Sequence, residues 1–180
     1  MTNVVLSASR KNKHTFFQVT SLLSSHFSIS VFDGVSLLQG EPPYEFMVYQ
    51  SDQIQRLQGR PTVLLVQEAQ CLSDKLEAGD QVVAVVLSDN GRAMELLSHS
   101  QVKGVTCGFS SRDTLTVSSI SAESAVICLQ RAITTFSGAR IEPVELPVRL
   151  SRPVDMFSLL CVAAILILAD QVQVLFDGPL

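Results

Sequence analysis

Residues 7–15 read Ser-Ala-Ser-Arg-Lys-Asn-Lys-His-Thr, the densest gathering of anion-seeking side chains in the sequence. Arg10, Lys11 and Lys13 stand with His14 at the start of a predicted helix. There the helix dipole and the free backbone N–H groups favour a negative charge. The chemistry such a segment suits is phosphate or nucleotide binding, with Ser9, Arg10, Lys11, Asn12, Lys13 and Thr15 as the candidate contacts. The competing reading is a solvated polar loop, and the residues alone leave both open.

Other chemistry finds little support. Ser110-Ser111-Arg112-Asp113 offers hydroxyls beside a carboxylate, but no histidine lies nearby and no Gly-x-Ser-x-Gly elbow exists, so a polar turn is expected. Asp33 follows a predicted strand where dinucleotide-binding folds hold a ribose, yet no G-x-G-x-x-G precedes it, and a turn at Asp33-Gly34 is the better reading. His26 and His99 fall near helix ends, where they interact with terminal carbonyls. Cys71, Cys107, Cys128 and Cys161 form no CxxC pair and three lie in apolar runs. They read as buried reduced thiols rather than a metal site or disulfides. No catalytic residue and no metal ligand is assigned.

The elements that must carry the loop follow from periodicity. Asn3–Ser7 reads as a short buried strand, and His14 to about Ser25 as a helix with Phe16, Val19, Leu22 and Leu23 on one face. Strands are predicted at Phe27–Phe32, Phe46–Tyr49, Pro61–Val66 and Gln81–Leu87. The last two are continuous apolar runs, as in strands covered on both faces. Ser51–Gln58 is predicted as a polar helix or turn, Cys71–Ala78 as a short helix, and a further helix runs to about His99 with Ser88 or Asp89 as N-cap. Strands alternating with helices over residues 1–107 imply a parallel sheet in a three-layer, Rossmann-like or P-loop-like α/β domain.

Beyond residue 107 the alternation stops. Val105–Cys107, Thr114–Ile120, Ala125–Ala132 and Glu142–Arg149 read as strands without helices between them, a small antiparallel subsheet over 108–150. Pro143 and Pro147 put the last strand at an edge, and Ser137-Gly138 marks a turn. Met156–Ala169 is apolar throughout but spans only about 21 Å as a helix, short of a bilayer core. It reads as a buried helix over 153–170 closing a single domain of residues 1–180.

Three stretches in order give the chain a family likeness. Val85-Val86-Leu87-Ser88-Asp89-Asn90 is similar to a strand ending in an Asn-x-Asp-Asp type turn. Gly104-Val105-Thr106-Cys107-Gly108-Phe109-Ser110 is similar to an "ITYGFS" segment, followed by Asp113 and antiparallel strands. Phe157–Ala169 stands in the place of an Ala-rich helix. Together they resemble the central ATP-binding domain of the Mur ligases, the ATP-dependent amide-bond-forming enzymes of peptidoglycan synthesis, over roughly residues 1–170. The resemblance implies a bacterial, cytoplasmic protein and, in an intact member, ATP as cofactor.

The residues that such chemistry needs have been replaced. A phosphate loop needs glycines to turn N–H groups toward the phosphates, then Lys, then Ser or Thr for Mg²⁺. Lys13 can stand for that lysine, but Ser7 and Asn12 occupy glycine positions and His14 replaces the hydroxyl. Of these, Asn12 is the mildest change, because Asn tolerates left-handed backbone. Mg²⁺ prefers hard oxygen ligands over imidazole. Met47-Val48-Tyr49-Gln50-Ser51-Asp52 lacks the family's acidic residue, Gln67-Glu68-Ala69-Gln70 stands where an Asp-His pair is expected, and no counterpart of the C-terminal ligase domain is found before Leu180.

Composition bounds the partners. Charged residues make up 17% of the 180 and hydrophobic residues 47%, with a net charge of −4, against about 25% charged in an ordinary soluble domain. So sparse a surface predicts a large core, a buried interface, or both. No basic stretch can track a nucleic-acid backbone. The order of charge and apolarity at the amino terminus is not that of a secretory signal. The expectation is a non-catalytic Mur-ligase-like domain acting in binding or assembly, through a protein partner or self-association. The alternative is a nucleotide- or phosphate-binding protein with weak ATP-dependent activity using loop 7–15.

Overall fold

A computed structural model describes residues 1–180. The chain forms two compact units, Met1–Gly104 and Val105–Leu180. No helix is long and apolar enough to cross a membrane.

In the first unit, β1 (Thr2–Ser7), α1 (His14–Ser24), β2 (Ile29–Phe32), β3 (Leu37–Gln39), β4 (Phe46–Ser51), β5 (Ile54–Leu57), β6 (Thr62–Val66), β7 (Leu72–Ala78), β8 (Val82–Leu87) and α2 (Gly91–Ser100) follow one another. Its main sheet runs β8-β6-β1-β4-β2-β3. Every pairing in it is parallel except that of β2 with β3. The α/β class and the mostly parallel sheet expected from the apolar runs are both present.

Strand alternation divides the core between two faces. On one, Val5, Leu64, Val66, Ala84 and Val86 pack with Ala93, Leu96 and Leu97 of α2. The other carries Val4, Leu6, Val63, Leu65 and Val85, all at most 1% exposed. Both faces are therefore covered, which is why β6 and β8 could be written as unbroken runs of Val and Leu.

Two predicted elements are corrected. Cys71–Ala78 is not a helix: a 3-10 turn at Ala69–Cys71 leads into strand β7. Ser51–Gln58 holds strand β5 rather than a polar helix or turn, and β5 pairs in parallel with β7 as a separate two-stranded ladder. Leu76 alone of the middle of β7 is buried while Asp74, Lys75 and Glu77 face solvent, so charged residues on an open strand carried a helix-like composition. The N-cap of α2 is Asn90, whose side chain accepts from Ala93 N, rather than Ser88 or Asp89. Strand β3, which the sequence reading did not pick out, is three exposed residues long.

The second unit begins within β9 (Lys103–Gly108) and continues with β10 (Leu115–Ile120), β11 (Ser124–Leu129), β12 (Ile133–Thr134), β13 (Arg140–Ile141), β14 (Val144–Arg149), α3 (Met156–Leu168) and α4 (Val174–Asp177). β10 pairs in parallel with β9 and antiparallel with β11, which pairs antiparallel with β14. β14 ends the sheet, and Pro147 lies within it opposite Val126. The predicted strand Ala125–Ala132 is shorter than expected, ending at Leu129; β12 and β13 then form a small hairpin that turns at Gly138, φ +90°. In α3 every residue from Phe157 to Leu168 is buried, so its continuous apolarity reflects a core helix.

Candidate functional site

The candidate loop leaves β1 at Ser7 and enters α1 at His14. Because β4 lies on one side of β1 and β6 on the other, the chain reverses its direction of travel across the sheet there. Open α/β sheets bind ligands at such switch points, outside the carboxyl ends of the strands. Three strand ends meet the loop, and together they contribute four polar side chains.

From the end of β6, Glu68 reaches back across the crevice. Its Oε1 accepts from Asn12 Nδ2 at 2.8 Å and from Ser9 Oγ at 3.3 Å. The backbones are tied too: Glu68 N donates to Ser7 O at 2.8 Å, and Ser7 Oγ donates to Glu68 O at 3.3 Å. From β4, the buried Gln50 donates through Nε2 to Ser9 O at 2.7 Å and to Asn12 O at 3.1 Å. Beyond β4, Asp52 pairs with Arg10 at 3.3 Å, and beyond β2, Asp33 pairs with Lys13 at 2.6 Å. Lys13 Nζ also stands 5.9 Å from the Phe17 ring centre, within cation–π range.

The expected contacts thus divide. Ser9, Asn12, Lys13 and Arg10 turn to carboxylates of the protein itself, Lys11 is exposed, and Thr15 is buried at the start of α1. None of residues 7–15 has positive φ, so Asn12 does not use the left-handed geometry open to it. Gln50 Oε1 and Gln67 Oε1 are buried without a protein partner, and an acceptor oxygen does nothing for an anion.

Asp33 is held by three donors. The Lys13 ammonium lowers its pKa most, then the Ser36 and Val35 amides, taking it from 3.8 to about 2. Those amides donate to Asp33 Oδ1 at 2.7 and 3.0 Å and lock the turn after β2, the role expected for Asp33-Gly34. A carboxyl with a depressed pKa in the folded state stabilises above its unfolded value, and that contribution disappears as pH falls through the folded one. The stability difference between the wild type and Asp33→Asn should therefore be constant from neutral pH down to about 4 and shrink between about 4 and 2, as read by urea unfolding across pH.

The other candidates are structural. Ser110 N donates to the buried Asp113 at 3.0 Å, closing the polar turn. All four cysteines are free and buried. Burial, helped by the nearby Glu68 carboxylate, pushes the Cys71 thiol up to about 11, and burial raises Cys107 and Cys161 further. None of these three is a ready thiolate nucleophile.

The sequence reading missed Glu68 and Gln50 as partners of the loop. Gln50 is the penultimate residue of β4 and Glu68 follows β6 by two residues, and strand ends on the loop's side of a parallel sheet are the signal that could have found them.

No family model and no curated protein matches the sequence. Among solved structures, the chain is similar to a crystal structure of MurF from Acinetobacter baumannii, with a TM-score of 0.57 and 13% identity, covering 98% of this chain and 45% of that one. The chain has a Mur-ligase-like fold. A structure of UDP-N-acetylmuramoyl-L-alanyl-D-glutamate--2,6-diaminopimelate ligase is also similar, with a TM-score of 0.52 and 14% identity, covering 94% of this chain and 42% of that one. The chain therefore spans less than half the length of either. Within this Mur-ligase-like fold, loop 7–15 occupies the turn from first strand to first helix.

Proposed function

We propose that the chain is a non-catalytic Mur-ligase-like domain that acts in binding or assembly. The observation that carries this reading is the Glu68 carboxylate bonded to Asn12 and Ser9. An anion already belonging to the protein stands among the donors that a phosphate would need. Arg10 and Lys13 are likewise paired with Asp52 and Asp33, so an incoming phosphate must displace carboxylates before it gains a contact. A metal-bound triphosphate fits these residues poorly for a second reason. His14 stands where a hydroxyl ligand belongs, and imidazole is a weak ligand for Mg²⁺.

The second reading is a nucleotide- or phosphate-binding loop that opens, using Ser9, Arg10, Lys11, Asn12, Lys13 and Thr15. Its support is location, at the sheet's switch point and a helix N-terminus. Thermal unfolding with ATP, with and without Mg²⁺, separates the two. A ligand at 100 times its dissociation constant adds about 2.7 kcal/mol of stability. We expect no shift and no ATP turnover. A Mg²⁺-dependent shift that vanishes in Lys13→Ala would replace the first reading with the second.

A further inference from the structure

We propose that the cleft between β5 and the main sheet binds an uncharged sugar of one or two rings. The cleft shares no residue with loop 7–15, so the proposal goes beyond the reading above by giving a binding domain a ligand.

The main sheet and β5 build the cleft together. Strand alternation puts Asn3 and Val5 of β1, Tyr49 of β4 and Thr62 of β6 on one face, with Val5 opposite Tyr49 and Asn3 opposite Thr62. β5 lies against that face because Ile54 belongs to the same buried cluster as Val5 and Leu64, and Leu57 packs on it. The cleft left between them has a volume of about 390 Å³, within the range of small-molecule sites.

Most sites of that size are lined by apolar groups. Here Asn3, Gln53, Gln55 and Gln58 bring four side-chain amides. None of the four bonds to another group of the protein. Tyr49 adds a hydroxyl whose partner is the Met47 thioether, 3.4 Å away and a weak acceptor. Burial raises the pKa of that phenol, with Arg60 acting the other way, so it stays a neutral donor. Between the polar groups lie Val5, Ile54 and Leu57.

This pattern selects the ligand. No carboxylate lines the cleft, and its one charged group, Arg56, is already paired with Glu77 at 2.7 Å. An ionic ligand therefore finds no free counter-charge. An apolar ligand would strip water from four amides and return no hydrogen bond. A sugar avoids both penalties. Each hydroxyl donates and accepts, so two adjacent hydroxyls satisfy the carbonyl and the NH₂ of one amide together. Its ring C–H groups then cover the apolar side chains. A nucleobase also matches amides, but it is held by stacking on an aromatic ring. Tyr49 is the only aromatic side chain in the lining, and it packs on the buried cluster. Because such hydrogen bonds replace others made to water, the net gain is small, and a dissociation constant of about 1–10 mM follows.

Amide NMR on the full chain tests this. Glucose, galactose, mannose, maltose and cellobiose are titrated separately to about 50 mM, several times the expected constant. With at least one of them the side-chain amide signals of Asn3, Gln53, Gln55 and Gln58 should shift and saturate, while those of loop 7–15 stay in place. Gln55→Leu, at an exposed position, removes one amide and should weaken binding about fivefold. Tyr49→Phe, which keeps the ring, should weaken it by a similar factor. Cleft signals unmoved by every sugar overturn the proposal. Glucuronate binding as tightly as glucose overturns it too, as does adenosine binding more tightly than any sugar. Binding indifferent to both variants has the same consequence. The ATP measurement is read at the loop, so its failure and the failure of the sugar site are separate results.

Discussion

Leu64→Ala is expected to destabilise the protein by about 3 kcal/mol, within the range of buried Leu truncations. Leu64 is wholly buried at the middle of β6, with Val5 of β1 on one side and Ala84 of β8 on the other. Its side chain projects into the cluster of Val66, Val86, Leu96 and Leu97. The flanking Ala84 is already small, and parallel pairing on both sides holds the backbone of β6 in place. The walls around the deleted methyl groups cannot collapse, so the cavity term adds to the transfer term. Urea unfolding should show a lower midpoint with an unchanged slope. Phe109→Ala, at a side chain 81% exposed, should stay within about 0.5 kcal/mol of the wild type. If Leu64→Ala cost no more than Phe109→Ala, the two-faced core described for β6 would be wrong.

The same packing explains what the sequence made legible. PTVLLV and QVVAVVL read as strands covered on both faces because nothing in them is polar after Thr62 and Gln81, and both are buried almost throughout. MFSLLCVAAILILA read as a core helix because it is too short for a bilayer, and its burial leaves no face for solvent. By contrast β5 and β7 were unreadable. Their alternation is diluted by Gln55, Arg56, Ser73, Asp74, Lys75 and Glu77, and they pair only with each other. A two-stranded ladder buries little, so its sequence carries little pattern. β3 failed for a related reason, because an edge with no covered face shows no periodicity.

The site was legible in position and not in state. Residues 7–15 announce a strand-to-helix turn, and that is where they lie. Their charges, however, suggest an open anion site, because the carboxylates that meet them come from residues 33, 52 and 68. Only the parallel order β6-β1-β4-β2 gathers those strand ends around the loop. Counting cations along a segment cannot reveal that Arg10 and Lys13 are answered from distant strand ends. The loop's glycine deficit, which is visible in sequence, goes with a backbone that contains no left-handed residue.

Asp155→Ala should cost about 2–4 kcal/mol, a large effect for a residue outside the apolar core. Asp155 is the N-cap of α3, its Oδ1 accepting from Ser158 N at 3.0 Å. Loss of such a cap alone costs about 1 kcal/mol. Here Oδ2 also accepts from Ser158 Oγ at 2.6 Å, and Ser158 is wholly buried. Removing the carboxylate strands that hydroxyl, at a further cost of about 1–3 kcal/mol. Asp155→Asn, which keeps an acceptor for the amide, should recover much of the loss. The double variant tests the division between the two terms. Once Asp155 is Ala, Ser158→Ala removes an unsatisfied group, so it should be neutral or stabilising, whereas in the wild type it should destabilise. Additive losses across that cycle would mean that the Asp155 carboxylate caps the helix without serving the hydroxyl. The helix start would then depend on the backbone contact alone.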